Sequence, residues 1–280
     1  KCLTSRLFCD TFNQIRFNPK QSISEMKNIN VLIIKISAIG DVIMALPMID
    51  AIHKKYSNAM ITWMCGETVA PLLKTFGKVD EIIIVDEEKL LAGSLLEKLW
   101  ALIKVWKNLF WRHFDLITIG HADPRYRLLR LTAIGKERRS FNRGHKRFWP
   151  VPGRHHTDEY IRLVTNRDSP EDIHERLPKL SIPLSADLKS ELKSGNSLIV
   201  ALSPGGAKNI LRDDAVRRWP LEYYVALANK LIIKGIRVVI TGAPSDEWIR
   251  KSFFHLDVIN LVGKTSIIDL VALFGECDLI

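Results

Sequence analysis

The sequence predicts an α/β protein with two doubly wound parallel-sheet units, on three observations. Short Val- and Ile-rich runs alternate with amphipathic helical patterns, the order that builds a parallel sheet through right-handed βαβ crossovers. The first run, Val31-Leu32-Ile33-Ile34-Lys35-Ile36, is almost continuously apolar, as a strand covered on both faces has to be. The alternation stops over a polar, proline-punctuated stretch at 166–196 and then starts again, so two sheets in succession are expected with a linker between them.

The elements follow in order. Residues 1–28 mix polar and apolar side chains without period and read as a leader or short helix outside the core. After the strand at 31–36 a helical pattern runs from Val42 to Tyr56. A strand at 59–64, a helix at 69–76, a strand at 81–85, a long helix at 90–110 and a strand at 116–119 complete the first unit. On the long helix Leu91, Leu95, Leu99, Ile103, Trp106 and Phe110 form one stripe, which suits a helix covering a sheet. With Lys98, Lys104 and Lys107 on its other sides, the same helix would also suit an anionic membrane surface. The second unit reads as strand 198–202, helix 221–233, strand 237–241, helix 246–254, strand 258–262 and helix 267–277. Asp278-Leu279-Ile280 then reads as the opening of another strand.

Composition excludes disorder: 47% of residues are apolar and 26% charged, which supports real cores. The 41 Lys and Arg against 31 Asp and Glu give a net charge of +10, favouring polyanionic partners such as nucleotide phosphates, nucleic acid or an anionic lipid surface. Cys2, Cys9, Cys65 and Cys277 form no CxxC pair and no metal-ligand spacing with histidine, so neither a disulfide framework nor a zinc site is expected. No run approaches the ~18 apolar residues of a membrane span, and the first residues lack the order of a signal peptide. A cytoplasmic chain with at most peripheral membrane contact is the expectation.

Three strand-to-helix junctions carry residues suited to chemistry. In Ser37-Ala38-Ile39-Gly40-Asp41 the glycine permits a sharp turn, and Asp41 either caps the following helix or faces the cleft as a base. Ser203-Pro204-Gly205-Gly206, followed by Lys208, Arg212, Arg217, Arg218 and Trp219-Pro220, is either an ordinary turn or an anion nest. In the second reading the helix opening at Pro220 and the cations neutralise a diphosphate. Thr241-Gly242-Ala243-Pro244-Ser245-Asp246-Glu247 offers an acid that either accepts from ribose hydroxyls or belongs to a helix cap. A G-x-G-x-x-G fingerprint is absent, as is the Lys-[Ser/Thr] ending of a P-loop, and Asp213-Asp214 is not the spaced Asp-x-Asp of a metal-held sugar nucleotide.

Taken together, Ile33 to Leu46 (IIKISAIGDVIMAL), Leu202 to Pro220 (LSPGGAKNILRDDAVRRWP), Val238 to Asp246 (VVITGAPSD) and Leu261 to Ile280 (LVGKTSIIDLVALFGECDLI) resemble glycosyltransferase family 9, the heptosyltransferases of lipopolysaccharide core assembly. The resemblance implies a GT-B fold: a Rossmann-like acceptor domain at 29–180 and a Rossmann-like nucleotide-sugar donor domain at 181–280. It implies a metal-independent, inverting transfer of a heptose from an ADP-sugar to a lipid A or core saccharide acceptor. No cofactor is needed beyond the nucleotide-sugar co-substrate. Asp41 matches the general base; Ser203, Gly205, Gly206, Lys208, Arg217, Asp246 and Lys264 match donor-binding positions, with Arg217 standing where many members have lysine. Family members continue past the position of Ile280 into an Asp-Thr-Gly or Asp-Ser-Gly motif that binds the diphosphate, so the donor domain is expected to be incomplete here.

An arginine-rich run from Arg125 to Arg154 is either a solvated loop or a surface for an acceptor's phosphates, with Gly40, Arg125, Arg127 and Arg143 as acceptor-binding candidates. His155-His156 completes no metal pattern and is expected in a surface turn. Two rivals stand beside the transferase: a GT-B enzyme with another nucleotide-sugar donor, and a non-catalytic polyanion or nucleic-acid binder using the arginine run.

Overall fold

The computed structural model describes residues 28–141, 153–166, 182–192, 197–206 and 215–280. In chain order the first lobe runs β1 (Ile29–Ile34), α1 (Ile39–Ala45), α2 (Pro47–Lys55), β2 (Ala59–Gly66), α3 (Ala70–Phe76), β3 (Glu81–Val85), α4 (Glu87–Leu91), α5 (Leu95–Leu109) and β4 (His113–Ile119). A 3₁₀ segment (Pro124–Arg130), β5 (Ile134–Ser140) and α6 (His156–Thr165) complete it. The strands lie side by side as β3-β2-β1-β4-β5, every pairing parallel. Central β1 shows why its sequence is so apolar. Val31 and Ile33 are fully buried in the core on one face, Leu32 and Ile34 in the core on the other, each such burial being worth about 1.5–3 kcal/mol.

The second lobe comprises α7 (Ala186–Leu192), β6 (Ile199–Leu202), α8 (Leu221–Ile233), β7 (Arg237–Ile240), a 3₁₀ segment (Pro244–Phe253), β8 (Ile259–Asn260) and α9 (Ile267–Glu276). Its sheet is ordered β6-β7-β8, again parallel, with cores on both faces. Leu279 forms a parallel bridge to Val200 at the other edge of β6, and Asp278 accepts the Ile199 N–H at 2.8 Å. The strand opening expected at 278–280 therefore joins this sheet. α6 packs on α1 and α2 of the first lobe, Leu188 and Leu192 of α7 lie in a second-lobe core, and α3 touches α9 across the lobes.

Several expectations are corrected. The helix expected over 42–56 is two, α1 and α2, because Pro47 has no N–H with which to continue the ladder and instead occupies the first turn of α2. The helix expected over 90–110 is also two. Ser94 and Glu97 form a reciprocal capping box that starts α5 afresh. The stripe expected to cover the sheet is displaced as well: Ala101, Val105 and Leu109 are the buried residues of α5, while Leu95, Leu99 and Phe110 are exposed. The helix expected over 246–254 is a 3₁₀ run over Pro244–Phe253.

Part of the arginine-rich run is strand β5, where Arg139 is buried, paired with Glu137 and donating to the carbonyls of Leu163 and Val164. His155 does not sit in a mere surface turn: it is the N-cap of α6, its Nδ1 accepting the Thr157 N–H, and Tyr160, Ile161, Leu163 and Val164 of that helix are core residues. The leader at 1–27 lies outside the described residues.

Candidate active site

In the first sheet β2 and β3 lie on one side of β1 while β4 and β5 lie on the other, so the chain reverses direction across the sheet between β1 and β4. Ligands of doubly wound folds bind outside the carboxyl ends of the strands at such a switch point. The segment Ser37 to Asp41 leaves β1 there. Asp41 does not cap α1: the N-cap is Ala38, which has no capping side chain, and Asp41 lies in the first helical turn. Its carboxylate is instead held by Lys35 Nζ at 3.0 Å. Lys35 is 2% exposed while the Asp41 side chain is 43% exposed, so the pair presents its carboxylate outward and keeps its cation inside.

Lys35 is the residue that sequence reasoning passed over, as one polar letter in an apolar strand. Its ammonium also donates to the Ser37 carbonyl and stands 5.8 Å from the Tyr160 ring centre. Gly120, at the end of β4, leaves room for it. A Cβ there would meet Lys35 Cδ and Tyr160 Cε1 at 3.2 Å. Burial draws the Lys35 pKa below the ordinary lysine value, opposed by attraction to Asp41.

Around this pair stand further groups that no motif revealed. His121 Nε2 accepts the Ile36 N–H at 3.0 Å and its ring stacks on Tyr126, centroids 3.8 Å apart. Burial, then the charge of Lys35, push its pKa well below the ordinary histidine value, so His121 is neutral and acts as an acceptor fixing the β1 exit. Burial also raises the Glu87 pKa, with Lys35 opposing. The signals were weak because His121 and Tyr126, from the loop after β4 and the 3₁₀ segment, and Tyr160, from α6, lie far in sequence from the β1 exit they surround.

Of the expected acceptor-binding residues, Gly40, Arg125 and Arg127 follow the carboxyl ends of β1 and β4. Gly40 is not a sharp turn: it lies within α1, and an added Cβ would meet no atom within 4 Å among the described residues. Arg125 is exposed and paired with Asp123 at 2.6 Å, Arg127 is half-buried on the same 3₁₀ segment, and Arg143 lies outside the described residues.

In the second lobe Ser203, Gly205 and Gly206 leave the carboxyl end of β6, the corresponding place between β7 and Leu279. Ser203 Oγ lies 2.7 Å from Thr241 Oγ1. The Asp246 carboxylate reaches into the loop: it accepts the N–H of Gly206 at 3.0 Å and of Ala243 at 2.9 Å, and the residue is buried. Asp246 thus ties the two loops together. Ser245 is not the cap; the N-cap is Ala243, which has no capping side chain and whose N–H donates to the Asp246 carboxylate.

Gly205 has to be glycine for close approach, since a Cβ there would lie 2.3 Å from the Asp246 carboxyl carbon. Gly205→Ala should therefore force the two loops apart, lowering stability by about 1–3 kcal/mol and weakening nucleotide binding at least about tenfold, as geometric misplacement does; thermal melting and nucleotide titration measure the two effects. Arg218, beside the expected Arg217, is the arginine that grips the loop, donating to the Gly206 carbonyl at 2.8 Å and lying over the Trp248 ring. Arg217 and Lys264 are exposed, and Lys208 lies outside the described residues.

Comparison with known proteins bears on the family and the fold. The family model for glycosyltransferase family 9 (heptosyltransferase) matches residues 132–280. The lipopolysaccharide core heptosyltransferase OpsX of Haemophilus influenzae is 24% identical over 90% of this chain and 72% of its own length. Lipopolysaccharide heptosyltransferase 2 of Salmonella typhimurium is 24% identical over 89% of this chain and 76% of its own. Among solved structures, a family 9 glycosyltransferase from Veillonella parvula shares the fold with a TM-score of 0.70 at 19% identity, covering 91% of this chain and 75% of that one. Heptosyltransferase WaaC of E. coli with ADP-2-deoxy-2-fluoro heptose gives 0.65 at 17% identity, covering 90% and 82%. With its second lobe and part of its first matched by the family model, the chain belongs to glycosyltransferase family 9, the heptosyltransferases, and is a glycosyltransferase of GT-B architecture.

Proposed function

We propose that this chain moves a heptose from ADP-heptose to a lipopolysaccharide core or lipid A acceptor, with inversion and without a metal ion, at the inner face of the cytoplasmic membrane. The observation that carries the reading is the half-exposed Asp41 carboxylate, anchored on buried Lys35 at the switch point of the first sheet. Asp41 takes the proton of the acceptor hydroxyl as that oxygen bonds to the anomeric carbon. The bond from that carbon to the diphosphate oxygen breaks on the opposite face, so the configuration inverts and ADP leaves with the electron pair. Lys35 is a positioning residue that holds the base in place.

Charge on the departing diphosphate is met in the second lobe by Arg217, Lys208 and Lys264 and by the N–H groups opening α8, where Pro220 supplies no capping side chain. Ser203 and Gly205 line this loop, while Asp246, through Gly206, keeps its shape. Gly40 leaves open space beside Asp41, and Arg125, Arg127 and Arg143 offer guanidinium groups to the acceptor's phosphates. Among the described residues no three His, Cys, Asp or Glu side chains gather to hold a metal ion.

Support for the adenine nucleotide comes from the E. coli WaaC structures, which hold ADP and an ADP-heptose analogue on the same fold. The test is transfer with ADP-heptose or UDP-glucose as donor, chelator present, and a heptose-free core glycolipid as acceptor. Product from ADP-heptose alone is expected; product from UDP-glucose alone would replace this reading with a different donor class.

A further inference from the structure

We propose that the amino-terminal half of α5, with the adjoining 3₁₀ segment Pro124–Arg130, docks the protein onto an anionic lipid bilayer. α5 meets its own sheet through a narrow strip, Ala101, Val105 and Leu109. Its other apolar residues are left in solvent: Leu95, Leu96 and Trp100 are 85%, 71% and 69% exposed. A helix that merely covers a sheet is charged on its outer face; here that face carries leucines and a tryptophan in adjacent turns. The 3₁₀ segment extends the patch. It packs against α5, Trp106 Nε1 donating to the Leu128 carbonyl at 2.8 Å, and Leu128 and the following Leu131 are exposed. Between the two lies a groove of about 200 Å³ lined by Leu91, Leu102, Tyr126 and Leu128, with Lys98 and Arg125 beside them.

Charge selects the occupant. Lys104 and Lys107 are exposed on α5, Lys98 belongs to the groove and Arg127 follows, while the acids nearby, Glu97, Asp86 and Asp123, are engaged with Ser94, Lys89 and Arg125. Apolar side chains with a tryptophan among cations fit the interface of a bilayer bearing anionic lipid, the leucines entering the acyl boundary and the lysines meeting the headgroups. No described helix is long and apolar enough to cross a membrane, so contact here is along the surface.

Topology adds a consequence. α5 runs back from the carboxyl end of β3 toward the amino end of β4, and the 3₁₀ segment follows the carboxyl end of β4. The start of α5 and the start of the 3₁₀ segment therefore stand at the same end of the sheet as Asp41, and the patch runs from there along α5 to Leu128 beside Trp106 and Leu131 near the amino end of β4. In the reading proposed above, a lipid-borne acceptor reaches the base without leaving the bilayer.

The docking surface is tested without any transfer assay, by sedimenting the full chain with vesicles of phosphatidylcholine alone or with phosphatidylglycerol added. Binding is expected only to the anionic vesicles, weakening with salt. Leu96→Ser/Trp100→Ser and Lys104→Glu/Lys107→Glu should each lower it about tenfold or more with melting unchanged, because these side chains make few contacts. Asp41→Asn should bind vesicles as the parent does, so failure of docking and failure of the transferase reading are separable. Absence of binding, equal binding to neutral vesicles, or full binding by both surface variants overturns the proposal. So does a dimer in solution that Leu96→Ser/Trp100→Ser dissociates, which would assign this face to a second copy of the chain.

Discussion

Asp41→Asn should lower the turnover number about 1,000-fold while leaving nucleotide binding at the parent value. General-base assistance is worth about 10²–10⁴ in rate, and asparagine keeps the shape of the side chain while losing its basicity. The fold should tolerate the change. Asn still offers an oxygen to Lys35, and the aspartate is 43% exposed, so solvent screens much of what the ion pair contributes. Single-turnover measurement with saturating donor separates the chemical step from binding. Turnover within a factor of a few of the parent would remove Asp41 from the chemistry.

Lys35→Met should cost about 100-fold in kcat/KM, the scale on which loss of positioning acts, although Lys35 touches neither substrate in this account. Methionine fills the channel beside Gly120 and Tyr160 but cannot grip the Asp41 carboxylate or the Ser37 carbonyl. A readout that loss of packing alone would not give is pH dependence. Burial depresses the Lys35 pKa in the folded chain, so the unfolded chain binds more protons between the two values and stability rises with pH across that window, below the ordinary lysine value. In the same window Lys35 loses its charge and Asp41 its anchor, so parental activity should fall as stability rises. The Lys35→Met variant should show neither trend, and a parent-like alkaline limb in its kcat/KM profile would rule out Lys35 as its origin.

Much of the fold was legible because hydrophobic burial writes it directly. The run Val31 to Ile34 could only be a strand covered on both faces, and α8 and β3 lie at the residues their periodicity indicated. Local chemistry inside an apolar pattern was harder to read. Pro47 and the Ser94 capping box divide helices whose apolar spacing continues unbroken, and β5 was hidden because its sequence, IGKERRS, carries charge on an edge strand where solvent tolerates it. α6 was missed for a related reason: its Glu159 and Arg162, buried as an ion pair, look like surface residues in the sequence.

At the site, Asp41 stood out because a carboxylate follows a strand end in a motif of known type. Lys35 did not, since its role depends on Asp41, Tyr160 and Gly120 converging from three elements. The glycines at 205 and 206 pointed to a tight loop, but only the structure shows that the Asp246 carboxylate lies against them and holds the loop's shape.

The division of labour between the lobes, base in the first and donor in the second, is tested most directly by calorimetric titration of ADP into Asp41→Asn beside the parent chain, chelator present. Equal affinity in the two proteins, with transfer lost only in the variant, is the predicted result. Loss of ADP binding together with transfer would place Asp41 in the donor pocket or in the support of the fold, and would contradict the account.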